Sequence, residues 1–227
     1  MRQLPLGVRW RDGSVFATFV LGPNAQVVQA LVDNTFTPVW LWGPTATGKT
    51  HLLQATCARA GELGRTAAYF PLQEDFPPDA LMGCEQLDLV CIDDVQRIAG
   101  DEAWERALFV LYNAMQENRR RLLFASTRAP AAIEWRLPDL RSRMTAALVF
   151  QLRPLSEPEQ IEVLRLRARA RGLELQDEAA TYLLRRLPRD LRSLCELLEK
   201  LDIASLAANR RLTVPFIREV LERRSGN

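Results

Sequence analysis

Two glycines bracket four residues and are followed by lysine and threonine in Gly43-Pro44-Thr45-Ala46-Thr47-Gly48-Lys49-Thr50. This spacing suits a phosphate chain, which needs closely spaced N–H donors, a lysine and a helix N-terminus at one place. Gly43 and Gly48 permit a tight loop and close backbone approach. Lys49 would reach the β- and γ-phosphates, and the Thr50 hydroxyl would hold Mg²⁺. The candidate nucleotide-binding stretch runs from Gly43 through His51, the only histidine of the chain. The chain carries 30 Lys+Arg, of which only Lys49 and Lys200 are lysines. In so arginine-biased a sequence, a lysine at the motif position argues against chance. A glycine-rich turn that binds nothing is the plain alternative.

A second group stands downstream. Leu87-Asp88-Leu89-Val90-Cys91-Ile92 reads as a buried strand and ends in Asp93-Asp94. Ligands of open α/β sheets bind at the carboxyl ends of strands. Asp93 would hold the metal, and Asp94 could polarise an attacking water; two acids that merely open a loop are the alternative. Phosphoryl transfer also rewards an arginine near the γ-phosphate. Position selects Arg141, Arg143 and Arg192, although by pattern alone each reads as a surface arginine.

The elements that must position these groups are legible as alternating patterns. Val39-Trp40-Leu41-Trp42 reads as a strand before the glycine loop, and a helix over about 49 to 60 follows it. Thr66 to Phe70 is a second strand and the run before Asp93 a third. A helix from about Asp101 to Asn118 carries Trp104, Leu108, Leu111, Tyr112 and Met115 at helical spacing. Leu122 to Ala125 is a fourth strand, ending in Ser126-Thr127; a short helix near Pro138 to Met144 precedes a fifth, Leu148 to Leu152. This alternation predicts a parallel sheet covered on both faces. It stops at Pro154. Ser156-Glu157-Pro158-Glu159 is a capping box opening a helix to about Arg171, and the remainder reads as helices only. The boundary is placed at about residue 153.

Bulk properties narrow the class. A chain 48% hydrophobic and 26% charged has the composition of a soluble globular protein. A net charge of +2 does not by itself mark a nucleic-acid surface. Cys57, Cys84, Cys91 and Cys195 show no metal or redox spacing; Cys91 and Cys195 sit inside apolar runs and are expected to be buried reduced thiols. No leader pattern and no long apolar stretch stand out, so a cytoplasmic location is expected.

The stretches Gly48 to Ala55, Leu87 to Asp94 and Leu137 to Arg143 together resemble the AAA+ core of the DnaA-related replication initiators. Leu164 to Gly172 and Leu212 to Glu219 resemble segments of the Hda-type regulatory members of that family. The resemblance implies an α/β AAA+ P-loop NTPase core, its parallel sheet flanked by helices, over residues 9–153. It also implies a small all-helical lid domain over 154–227 and a clamp-binding peptide over 1–8. Arg143 matches the arginine finger offered to a neighbour's nucleotide, with Arg141 beside it as an alternative. Arg192 matches the sensor-2 arginine, and the polar sensor-1 position falls on Thr127. Phe19 to Asn24 resembles the linker lying against adenine. Gln3-Leu4-Pro5-Leu6 resembles a peptide for the DNA polymerase III sliding clamp (β).

The same resemblance implies a regulator holding ADP or ATP with Mg²⁺. With DnaA and the DNA-loaded clamp as partners, it would stimulate ATP hydrolysis by DnaA and prevent re-initiation. DnaA continues into a helix-turn-helix domain, and the chain's end at Asn227 implies no sequence-specific DNA reading. Self-association through the same surface is expected to be possible. An autonomous DnaA-like motor or loader is the second reading. A small-molecule P-loop kinase is a third, disfavoured by the lack of an arginine-rich lid inserted in the sheet region.

Overall fold

The computed structural model describes residues 14–33, 35–74, 76–186, 197–198, 200–205 and 212–222. The chain divides into two compact units, Met1–Arg153 and Pro154–Asn227.

In the first unit five strands form one parallel sheet in the order β2-β3-β4-β1-β5. They are β1 Val39–Trp42, β2 Ala67–Pro71, β3 Leu89–Asp93, β4 Arg121–Ser126 and β5 Leu148–Gln151. Side chains alternate between faces along each strand. Trp40, Val90, Ile92, Leu122 and Phe124 enter one apolar core. Val39, Leu41, Leu89, Cys91, Leu123 and Ala125 enter the other. Both faces of the three central strands are therefore dry, which explains their nearly unbroken apolar runs. The edge strand β5 differs from the expectation of a sheet covered throughout: Leu148 and Val149 are 40% and 42% exposed.

Helices α1 Ala25–Val32 and α2 Lys49–Glu62 supply Val27, Leu31, Leu52 and Leu53 to one core. Helices α3 Glu102–Glu117 and α4 Pro138–Thr145 supply Leu108, Leu111, Met115, Leu140 and Met144 to the other. Helix α3 starts where Asp101 Oδ1 accepts the Ala103 and Trp104 N–H groups, at 3.0 and 3.2 Å. The strand–helix alternation did not predict α1, an addition ahead of the first strand. Short 3-10 turns also occur, one of them at Val95–Ile98 directly after β3.

The second unit is helical. Helix α5 Glu157–Arg169 opens at Ser156, whose N–H and hydroxyl both donate to Glu159 Oε2, at 2.6 and 2.7 Å. Helices α6 Asp177–Arg186 and α7 Val214–Glu222 follow, with residues 197–198 and 200–205 also helical. Leu164, Leu183, Leu198, Leu201 and Ile217 form its own core. Among the described residues no helix is long and apolar enough to cross a membrane.

Candidate functional site

The phosphate loop leaves β1 and enters α2 at Lys49. Gly48 takes φ +94°, and a Cβ there would lie 2.7 Å from Phe19 Cε2. A Cβ on Gly43 would lie 2.5 Å from the Leu152 carbonyl oxygen. The Leu152 backbone leaves no room for a side chain at Gly43, the Phe19 ring crowds Gly48, and both glycines have positive φ, +151° and +94°. Ala46 also sits at φ 62°. Thr47 Oγ1 closes the loop on the Pro44 carbonyl at 3.0 Å, while Pro44 and Thr45 are exposed at the tip.

The Lys49 side chain folds back into this loop. It is 7% exposed and donates to the Gly43 and Pro44 carbonyls at 2.8 and 2.7 Å. Burial lowers its pKa, opposed by the charges of Asp93 and Asp94. No carboxylate lies within ion-pair distance of it among the described residues. A buried ammonium held only by carbonyl dipoles beside a helix N-terminus favours an anion.

The loop is walled by the segment that precedes α1. Phe19 stacks obliquely on His51, ring centroids 5.4 Å apart, and His51 Nε2 lies 2.9 Å from the Val15 carbonyl. Asn24 is buried and pairs both ends of its amide with the Arg153 backbone, at 3.0 and 2.8 Å. Val15 and Phe19 thus lie against the start of α2, with Phe19 beside Gly48, and Asn24 fixes the end of the segment to the chain just after β5.

Asp93 ends β3 and is 3% exposed. Its Oδ2 accepts from the Thr50 hydroxyl at 2.6 Å and the Tyr69 hydroxyl at 2.8 Å, and its Oδ1 from the Asp94 N–H at 3.0 Å. Burial raises the Asp93 pKa; the Thr50 and Tyr69 hydrogen bonds pull it down and the Asp94 charge pushes it up. Tyr69 is pushed up in turn, by burial first and then by Asp93. Among the described residues no group of three or more His, Cys, Asp or Glu could cage a metal unaided. Thr50 and Asp93 instead offer two neighbouring oxygens. That donor set fits Mg²⁺, a hard cation that takes oxygen ligands and would be held with the help of substrate phosphates.

Asp94 adopts a left-handed backbone, φ 55° and ψ 39°. Gln73 Nε2 donates to its Oδ2, and Gln96 Nε2 donates to its Oδ1 at 3.0 Å. The other end of the Gln96 amide accepts the Thr127 N–H at 3.3 Å. Asp94 and Thr127 are therefore joined through Gln96, and each carboxylate oxygen of Asp94 accepts one amide N–H. Tyr69, Gln73 and Gln96 are the members of this cluster that sequence reading missed. A single tyrosine or glutamine carries no pattern, and only the Pro71↔Asp93 strand register brings the end of β2 beside the two acids.

Arg141 and Arg143 lie exposed on α4, without an ion pair or hydrogen bond to the phosphate loop among the described residues. The Arg143 charge acts on Tyr112 of α3. Arg192 and the stretch Gln3, Leu4, Pro5 and Leu6 lie outside the described residues.

Comparisons with known proteins agree across both units. Residues 82–151 match the bacterial DnaA ATPase domain family, and residues 157–221 match the family described as Hda, lid domain. Domain III of the Thermotoga maritima replication initiation protein DnaA superposes with a TM-score of 0.81 at 21% identity, over 95% of this chain and 98% of that one. AMPPCP-bound DnaA from Aquifex aeolicus gives 0.61 at 24% identity, over 77% of this chain but only 60% of that one. The Thermotoga maritima RuvB branch migration motor gives 0.65 at 20% identity, over 87% of this chain and 66% of its own. At these identities the structures speak for the fold, and the two family matches speak for descent. The chain belongs to the DnaA-related AAA+ family of replication-initiation proteins, with a lid of the Hda type.

Proposed function

We propose that this chain is a nucleotide-holding regulator that offers Arg143 to ATP bound by DnaA and thereby stimulates DnaA to hydrolyse it. The observation that carries the reading is a separation of parts. The chain's own phosphate loop is complete, with Lys49, Thr50 and Asp93 gathered at it, while Arg143 stands exposed on a different element. An arginine turned to solvent is available to a facing subunit.

In this reading the loop from Gly43 to His51 holds ADP or ATP, a reading supported by DnaA relatives that bind AMPPCP. Bound Mg²⁺ would neutralise phosphate charge beside Thr50 and Asp93. The residues of the chain bind and orient: Lys49 supplies a point charge, Gly48 lets the backbone approach, and Asp93 orients the Thr50 hydroxyl. Arg192 would act as sensor 2. Asp94, engaged by Gln73 and Gln96, and Thr127 at the sensor-1 position make turnover in cis secondary. An arginine supplied in trans is worth about 10³–10⁵ in rate, or about 4–7 kcal/mol of barrier. Gln3, Leu4, Pro5 and Leu6 would tether the chain to the DNA-loaded sliding clamp, and the resulting ADP form of DnaA would not re-initiate.

Hydrolysis of ATP by purified DnaA, followed with clamp-loaded DNA and this chain present, tests the reading. Arg143→Ala should abolish stimulation while leaving ADP affinity intact; stimulation equal to wild type refutes it. A second reading, an autonomous motor, is favoured by the Thr50–Asp93 pair. It requires a basal ATPase lost in both Lys49→Ala and Asp94→Ala and independent of the clamp.

A further inference from the structure

Glu105 lies in α3, 0% exposed, in a core otherwise built of Trp104, Leu108 and their neighbours. A buried carboxylate is costly unless its oxygens are satisfied. No arginine or lysine lies within ion-pair distance of it among the described residues. Its partners are instead three backbone amides: Oε1 accepts the Gly100 and Arg136 N–H groups at 2.7 and 3.1 Å, and Oε2 accepts the Leu137 N–H at 2.7 Å.

These amides belong to two places that matter. Leu137 is the N-cap residue of α4, and no side chain of its own segment caps that helix. Pro138, at the first helical position, has no N–H to offer. The start of α4 is thus capped from outside, by a carboxylate on a neighbouring helix. Gly100 lies in the turn that joins Val95–Ile98, the 3-10 turn following Asp93-Asp94, to α3. Glu105 consequently ties the segment behind the two acids to the start of the helix bearing Arg141 and Arg143.

Helix α4 is eight residues long, and Leu140 and Met144 are its buried side chains. Two apolar contacts resist lifting of a short helix, but rotation about its axis or sliding along it far less. Hydrogen bonds at 2.7 and 3.1 Å to consecutive amides constrain both.

We propose that Glu105 is a positioning residue for the arginine-bearing helix: it touches no reacting atom, and it sets where Arg143 arrives at a facing nucleotide. The proposal rests on the reading that α4 donates its arginine in trans.

The test compares Glu105→Gln, Arg143→Ala and the double variant with wild type, in DnaA-dependent ATP hydrolysis on clamp-loaded DNA at increasing regulator concentration. An amide keeps the size of the side chain but turns an N–H₂ toward one of the three donors. Glu105→Gln should lower maximal stimulation by about tenfold to a hundredfold, the range expected for roughly 1 Å of misplacement. Half-saturating concentration and ADP affinity should stay within about twofold of wild type, as a placement defect spares binding. The double variant should be no worse than Arg143→Ala. If Arg143→Ala is inactive while Glu105→Gln reaches the full maximal rate, the positioning role is overturned and the trans reading survives. If Arg143→Ala stimulates normally, the trans reading itself falls. Should Glu105→Gln fail to fold, hydrogen exchange on the wild-type chain decides: the Arg136 and Leu137 amides must be protected, and exchange at open-loop rates overturns the proposal.

Discussion

The Thr50 hydroxyl donates to Asp93 Oδ2 across 2.6 Å, joining the first turn of α2 to the last residue of β3. This contact brings together the two side chains read from sequence as metal-holding, and it frames a first prediction. Both oxygens suit Mg²⁺. In calorimetry, Mg²⁺ should tighten ADP binding by wild type. Asp93→Asn should lose about tenfold of that gain, roughly 1.4 kcal/mol, and bind ADP without Mg²⁺ as well as wild type does. An undiminished Mg²⁺ effect in the variant would exclude Asp93 from the metal site.

Tyr69 shares the same carboxylate oxygen at 2.8 Å. Tyr69→Phe removes a donor from a buried acid without changing the core volume. The expected loss of stability is about 1.5–3 kcal/mol, the range for a hydrogen bond to a charged group, measured by urea unfolding. The Tyr69 bond holds the Asp93 carboxyl down against burial, so its loss should raise the Asp93 pKa further. A midpoint equal to wild type would show that the hydroxyl contributes nothing.

Gly48→Ala should be damaging for two separable reasons. The backbone has φ +94°, and the new Cβ would sit 2.7 Å from Phe19 Cε2. Left-handed backbone costs an L residue about 1–2 kcal/mol, and the ring contact adds to it. Pairing the change with Phe19→Ala should recover only the second part. Melting curves of the single and double variants distinguish this from full recovery, which would mean the backbone angle is not constraining.

Asp88 offers a pH test. Its carboxyl is held below the usual carboxylate range, chiefly by the Thr66 N–H at 2.9 Å, with the Thr66 hydroxyl and Arg120 adding to the effect. A lowered folded value means that the stabilisation is complete above the unfolded carboxylate value. It is lost as pH falls through the folded one. Asp88→Asn should therefore flatten the acid limb of a stability–pH profile and leave its neutral-to-alkaline shape unchanged. An unchanged acid limb would show that these contacts do not persist in solution.

Much of this architecture is readable from residue order. Apolar runs with a phosphate loop after the first and paired acids after the third mark the strands, and helical spacing marks α3. The capping box marks the start of α5. Each signal is local, lying within one element. Helix α1 escaped because eight residues ahead of the first strand offer too short a periodicity. The half-exposed Leu148 and Val149 escaped because an apolar strand looks alike at a sheet's centre and at its edge.

Residue types and spacing by themselves determined which ligand chemistry the chain can offer: a lysine, a hydroxyl and carboxylates around a glycine loop. Only the folded chain decided what those groups meet. The strand order β2-β3-β4-β1-β5 sets Tyr69 beside Asp93, while loop and helix packing bring Gln96 between Asp94 and Thr127 and Glu105 under the start of α4. The reason is physical: periodicity records which face of an element is dry, but pairing across a sheet or between helices depends on which elements become neighbours. A lone tyrosine, glutamine or glutamate acquires its role only when that choice has been made.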